Sequence, residues 1–141
     1  INIDHAKPHT TSRLSYKGVL DGKSKAVFGG TVLVRPDAQK ADAIQSDKNL
    51  LLSDDVEIDT MPALFIYADD VKAAHGATAG HINEDTILYM RSRGLTREQA
   101  YDLLIRGFAN EIIDTVEVDK LKSYLEDWLL GSLSGDMNES T

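Results

Sequence analysis

Four histidines and two pairs of adjacent aspartates are the first residues to weigh for chemistry, in a chain that contains no cysteine. Without a thiol there is no disulfide, no thiolate metal site and no cysteine nucleophile, so soft-metal chemistry must borrow ligands from elsewhere. His5 and His9 are four apart, but Pro8 prevents a helix from stacking them on one face. His75 and His81 are six apart, with Gly76 and Gly80 between them, and no third ligand lies at a suitable spacing. A metal-storage site pooling all four histidines is the weakest of the readings these residues raise. Asp54-Asp55 and Asp69-Asp70 are neighbours whose side chains leave a strand on opposite faces, which fits solvated turn acids. A β-solenoid carbohydrate-active or sugar-binding protein is the competing reading. It would need carboxylates of the Asp69-Asp70 region to form a pair about 5 to 9.5 Å apart in an open groove. No phosphate loop ending in Lys-Ser/Thr and no Gly-x-Ser-x-Gly elbow occurs. If ATP is involved, another chain hydrolyses it, and this one is expected not to be an enzyme.

The segment from Ala68 to Gly80 holds one imidazole, His75, among small residues. Two readings stay open. Gly and Ala fit a tight corner of a solenoid, or they permit close approach of another chain to a histidine able to ligate iron or move a proton.

The elements that must position these residues change character along the chain. From Thr10 to about Ala79, short β-type runs of three to six residues alternate with turn residues: Arg13–Lys17, Ala26–Phe28, Thr31–Val34 stopped by Pro36, Leu50–Leu52, Val56–Ile58, and 63–68. Strands this short suit the coils of a β-solenoid, while periodicity alone leaves a small sandwich or jelly roll open. After Gly80 the period becomes helical. Asn83-Glu84-Asp85 caps a helix carrying Ile87, Leu88 and Met90, ended by Gly94. Thr96 to Gln99 fits a capping box for a second helix. Its expected buried stripe is Ala100, Leu103, Leu104, Gly107, Phe108 and Ile112, with Arg97, Asp102, Arg106 and Asn110 left wet. Val118, Leu121, Leu125, Trp128 and Leu129 give a third helix, stopped by Gly131, and residues 132–141 read as a flexible tail. The expected division is a β segment over 1–82, a helical subdomain over 83–131 and that tail.

Composition bounds the partners. The 141 residues carry a net charge of −8, with −2 over residues 1–82 and −6 over 83–141. An acidic helical surface repels phosphates and excludes nucleic acid as the expected partner. No window approaches the roughly 18 apolar residues that span a bilayer. The chain opens on Ile1 and not Met, which suggests that it is part of a longer polypeptide.

Read with its neighbours, the His75 segment resembles the SufB/SufD family of iron–sulfur cluster assembly proteins, with a form closer to SufD. The resemblance rests on His5 to Ser12 leading to Tyr16-Lys17-Gly18-Val19-Leu20, on Ala26-Val27-Phe28-Gly29-Gly30, on 38–45, and on Asn49-Leu50-Leu51-Leu52-Ser53. It continues through Pro62, Tyr67–Lys72, His75-Gly76-Ala77-Thr78, and Leu88-Tyr89 to Ser92-Arg93-Gly94, in order over roughly the first 110 residues. The resemblance implies a mainly β fold, a right-handed parallel β-helix followed by a C-terminal α-helical subdomain. It implies a scaffold that pairs through its β-helix with a SufB-like subunit or a second copy of itself. It also implies docking of a SufC-type ABC ATPase through the C-terminal helices, in the cytoplasm or in a plastid stroma. His75, with Gly76 and Thr78, matches the interface implicated in cluster assembly, and His75 is the candidate metal ligand. Tyr89, Arg91, Arg93 and Phe108 fall in the ATPase-docking region. No cofactor is expected to be bound stably, and iron or a transient cluster would sit at a shared interface. Two departures matter. Ala73-Ala74 stand where many SufD-like sequences carry a cysteine, and Phe65 stands where an acidic residue is common. A chain without thiols implies a supporting role for His75, since stable cluster ligation is dominated by thiolates. A β-helix segment also leaves strand edges bare, from which self-association or reduced stability is expected.

Overall fold

A computed structural model describes residues 1–135. The described chain divides into two compact units, the first Ile1–His81 and the second beginning at Ile82.

The first unit holds six strands: β1 (Asn2–His5), β2 (Thr11–Leu20), β3 (Lys25–Val34), β4 (Asp42–Leu51), β5 (Glu57–Ile66) and β6 (Lys72–His81). They form two three-stranded sheets ordered β1-β3-β5 and β2-β4-β6, so the chain crosses from one sheet to the other at every connection. All four ladders are parallel. A hairpin-built antiparallel sandwich is thereby ruled out, because hairpins generate antiparallel neighbours. Each strand stacks on the one two elements earlier, for example Ile3 beside Val32 and Val32 beside Leu64. The connections stack as well: the His9 amide donates to the Gln39 carbonyl at 3.0 Å, and the Lys40 amide to the Asp70 carbonyl at 2.6 Å. His9 and Lys40 both take a left-handed backbone there, at φ of 58° and 62°.

The strands from β2 to β6 are ten residues long, correcting the expected three to six. Glycines and polar positions that read as strand ends lie inside continuous strands. Gly29-Gly30 joins two expected runs into β3, and Pro62 lies inside β5, where it is tolerated because β5 is the edge strand of its sheet. The apolar core comprises Val32, Val34, Ala38, Ala41, Ala43 and Ala68, with Ile3, Leu64, Val71 and Ala73 packed against it. Further along the strands Tyr16 of β2 meets Phe28 of β3, their ring centroids 4.5 Å apart.

The second unit contains α1 (Glu84–Ser92), α2 (Arg97–Ile113) and α3 (Asp119–Gly135). Asn83 Oδ1 accepts the Asp85 amide at 2.7 Å, and Thr96 and Gln99 form a complete capping box. α1 and α2 are tied at their N-terminal ends by Arg97, which donates to both carboxylate oxygens of Glu84 at 2.9 and 2.7 Å. The buried stripe of α2 is Ala100, Ile105 and Ile113; Leu103 and Gly107 are exposed, and Leu104, Phe108 and Ile112 are half-buried. Asp102, Arg106 and Asn110, expected on the wet side, are half-buried too. α3 runs through Gly131 to Gly135, so 132–135 are helical and not tail, and the rest of the expected tail lies outside the described residues.

Candidate functional site

β6 corrects one of the two readings of the Ala68–Gly80 segment. It is not a corner: Lys72–His81 is a full strand, paired along its whole length with β4. The small residues are held extended by that ladder, and strand propensity is secondary to it.

His75 stands beside Gln45, and the residues flanking it on the same face are Ala73 and Ala77, beside Ala43 and Asp47. In β4 this face is the buried one, carrying Ala43, Gln45, Asp47 and Asn49. In β6, the last strand of its sheet, the same face is exposed from His75 to His81. The imidazole is therefore carried on the face that is interior in β4, but it is itself exposed. Gly76 and Thr78 leave the strand on the opposite face, beside Ser46 and Lys48. The three share a strand but not a face. A Cβ on Gly76 would meet nothing within 4 Å, so no packing within the described residues demands glycine there.

β5 is the last strand of the other sheet, and Phe65 and Ile66 at its end and Tyr67 just after it are exposed by 50%, 41% and 62%. Phe65 does not pack inward. It adds exposed apolar surface at the end of β5.

The other histidines are not gathered with His75. His5 is buried, and its ring nitrogens lie 2.7 Å from Thr10 Oγ1 and 2.8 Å from Ser12 Oγ. His9 is exposed in the following loop, and His81 ends β6 beside Leu51. Among the described residues no group of three or more His, Asp or Glu is placed to hold a metal. A four-histidine storage site is not what this arrangement makes.

Asp70, Asp42 and Asp4 are engaged by cations. Asp70 pairs with Lys40. Asp42 accepts from Arg13 at 2.8 Å, and the hydrogen-bonded guanidinium holds its carboxyl below the usual range. Asp4 is held low in the same way by Arg35. Asp42 and Asp4, held ionised by neighbouring guanidiniums, do not resemble a glycosidase acid, whose proton must be retained.

One set of residues escaped the sequence analysis. Gln45, Asp47 and Asn49 are 2%, 1% and 5% exposed and line the interior face of β4. Asn49 Nδ2 donates to Asp47 Oδ1 at 2.8 Å, while both amide atoms of Gln45, Asp47 Oδ2 and Asn49 Oδ1 have no hydrogen-bond partner. The signal that could have found them is the period of two running through Ala43, Gln45, Asp47 and Asn49, with the exposed Ile44 and Lys48 alternating outward.

In the helical unit, Tyr89 is 60% exposed, and Arg93 stacks its guanidinium 5.3 Å from the ring centroid while donating to the hydroxyl at 3.2 Å. Arg91 is exposed beside them, whereas Phe108 is half-buried. Leu88 on α1 and Leu121, Tyr124 and Trp128 on α3 add exposed apolar surface.

The family model described as the SUF system FeS cluster assembly, SufBD core domain, matches residues 1–108. The iron-sulfur cluster assembly protein SufD of Escherichia coli is 40% identical over 120 residues, covering 85% of this chain and 28% of that protein. The SufBD family protein slr0076 of Synechocystis is 42% identical over 125 residues, 89% of this chain and 27% of its own length. Protein ABCI7, chloroplastic, of Arabidopsis thaliana is 38% identical over 115 residues, 81% of this chain and 24% of its own length. The chain thus spans about a quarter of each of these relatives.

Proposed function

The chain belongs to the SufB/SufD family of SUF iron–sulfur cluster assembly proteins, and from that membership we propose that it is a non-catalytic scaffold segment of a SUF-type assembly complex. Its β unit is a stretch of right-handed parallel β-helix that pairs with a SufB-like subunit or a second copy of itself. Its helices dock a SufC-type ABC ATPase. The complex works in the cytoplasm or, in a plant, in the plastid stroma.

The observation that carries this reading is the end of the two sheets formed by β5 and β6. Both are the last strands of their sheets, β6 is exposed from Ala74 to His81, and the large apolar side chains of Phe65, Ile66 and Tyr67 are exposed at the end of β5 and just after it. A last strand and exposed apolar side chains are what a protein partner covers. His75 lies within that surface, so a partner seated there would enclose the imidazole. Iron or a nascent cluster is the cargo of that enclosure, and the thiolates that dominate cluster ligation come from the partner, since this chain has none.

The docking assignment is supported by exposed apolar and aromatic side chains on an acidic helical unit, a surface suited to a protein and unsuited to nucleic acid. Tyr89 with Arg91 and Arg93 is the centre proposed for the ATPase contact. Phe108 supports that surface from a half-buried position.

The experiment is capture of a SufC-type ATPase by a full-length family member carrying this segment. Tyr89→Ala combined with Arg93→Ala is expected to lower capture about tenfold or more, the loss typical of an interface aromatic anchor, with the β unit still folded. Full capture by the double variant, or none by the parent, would remove the docking assignment.

A further inference from the structure

We propose that Arg97 is a positioning residue for the docking surface of α1: it clasps the start of α1 to α2 and thereby fixes where Tyr89 and Arg93 are presented. The consequence for ATPase capture rests on the docking assignment above, while the clasp itself is argued from bonds within the helical unit.

α1 is nine residues long. Isolated helices shorter than about 12 to 15 residues are marginal in water, so its place depends on what holds it to its neighbours. The apolar hold is small. Ile87 is buried and Met90 half-buried, whereas Leu88 and Tyr89 are 64% and 60% exposed. A tight turn holds the C-terminal end: Arg93 caps α1, Gly94 takes a φ of 98°, and Thr96 already caps α2. The N-terminal end is held by polar bonds gathered on one carboxylate. Arg97 Nη1 and Nη2 donate to Glu84 Oε2 and Oε1 at 2.9 and 2.7 Å, and the Tyr101 hydroxyl donates to Oε1 at 3.1 Å. Arg97 Nη2 also donates to the Tyr101 hydroxyl at 3.2 Å, with the guanidinium 5.1 Å from the ring centroid. Two neighbours on one face of α2, at i and i+4, thus grip the first residue of α1.

An isolated ion pair in solvent contributes little, but a bidentate guanidinium backed by a third group holds a defined geometry. Tyr89 and Arg93 follow Glu84 on the same short helix and its cap. Arg93 is stacked on and bonded to Tyr89, so the two move as a pair with α1. Releasing Glu84 leaves the start of α1 to fray, and the pair loses a fixed place relative to α2. A surface held in its bound arrangement before the partner arrives binds more tightly than one that must be ordered on contact.

The test is a titration of a SufC-type ATPase against a full-length family member carrying this segment, with hydrogen exchange of the α1 amides followed on the same variants. Arg97→Leu is expected to weaken capture by up to about fivefold, the upper range for an exposed pair. It is also expected to speed exchange in α1 while α2 beyond its first turn stays unchanged. Glu84→Gln, which keeps the shape of the side chain, is expected to act in the same direction and serves if Arg97→Leu fails to fold. The two together are expected to be no worse than the stronger single variant, since both remove one clasp. With Tyr89→Ala and Arg93→Ala already in place, Arg97→Leu is expected to cause no further loss of capture, an outcome that a general loss of stability would not give. Unchanged α1 exchange in Arg97→Leu would overturn the clasp. Native capture despite faster exchange would overturn the positioning role, as would a loss that persists undiminished without Tyr89 and Arg93. No capture by the parent would remove the docking assignment and the positioning role with it, whereas the exchange data decide the clasp separately.

Discussion

Gly30 and Gln45 press on one another: a Cβ on Gly30 would lie 2.3 Å from the Gln45 side-chain nitrogen. At this point of β3 glycine makes room for a side chain on β4, in the other sheet; no positive φ calls for it. Gly30→Ala is expected to destabilise the β unit by about 1 to 3 kcal/mol, the usual cost of overpacking. Adding Gln45→Ala is expected to recover most of that loss. Urea denaturation of the single and double variants measures it, and strictly additive effects would mean that the two residues do not share the site.

The helical unit has its own test. Thr96 closes the capping box of α2, its hydroxyl accepting the Gln99 amide at 3.2 Å while Gln99 Oε1 accepts the Thr96 amide at 2.9 Å. Thr96→Ala is expected to cost about 1 kcal/mol. Hydrogen exchange is expected to speed up in α2 and to stay unchanged in β2 to β4. Unchanged exchange at the start of α2 would contradict the capping assignment.

Acid is expected to loosen the start of the helical unit. Hydrogen bonds from Arg97 and then Tyr101 hold the Glu84 carboxyl below its ordinary range. A carboxylate whose folded-state pKa is depressed contributes stability that is complete above its unfolded value, near pH 4.3, and is lost as pH falls through the lower folded value. The groups are exposed, so the effect is small. Arg97→Leu is expected to flatten the pH dependence of α1–α2 unfolding below about pH 4.3, followed by circular dichroism. An unchanged acid limb would show that the pair contributes nothing.

The terminal edges of β5 and β6 lead to an expectation about association. Sedimentation velocity at rising concentration is expected to show a growing dimer fraction. Ala77→Lys, which puts a charge on the exposed face that carries His75, is expected to reduce it. A protein that remains monomeric throughout would remove pairing with a second copy and leave the SufB-like subunit as the partner to test.

Some of this architecture could be read from residue order and some could not, for identifiable reasons. The helix starts were legible because Asn83 and Thr96 announce themselves by local chemistry that no distant contact overrides. Strand length was not legible. β4 is interrupted in its apolar pattern by Gln45, Asp47 and Asn49, which face the interior in spite of their polarity, and β6 consists largely of Ala and Gly held extended by its neighbour. The buried phase of α2 slipped because Leu103 is turned to the surface and Ile105 takes the core position. His75 was legible as a residue of interest through its small neighbours. Its register neighbour Gln45 was not, since only the β4–β6 pairing brings the two together.

The central claim is that the imidazole and the helices perform separate tasks in one scaffold. The direct measurement is His75→Ala in a full-length family member carrying this segment, with cluster maturation and capture of a SufC-type ATPase followed on the same preparation. Maturation is expected to fall sharply while capture stays at the native level. Equal loss of both would make His75 a structural residue, and full maturation by the variant would contradict the account.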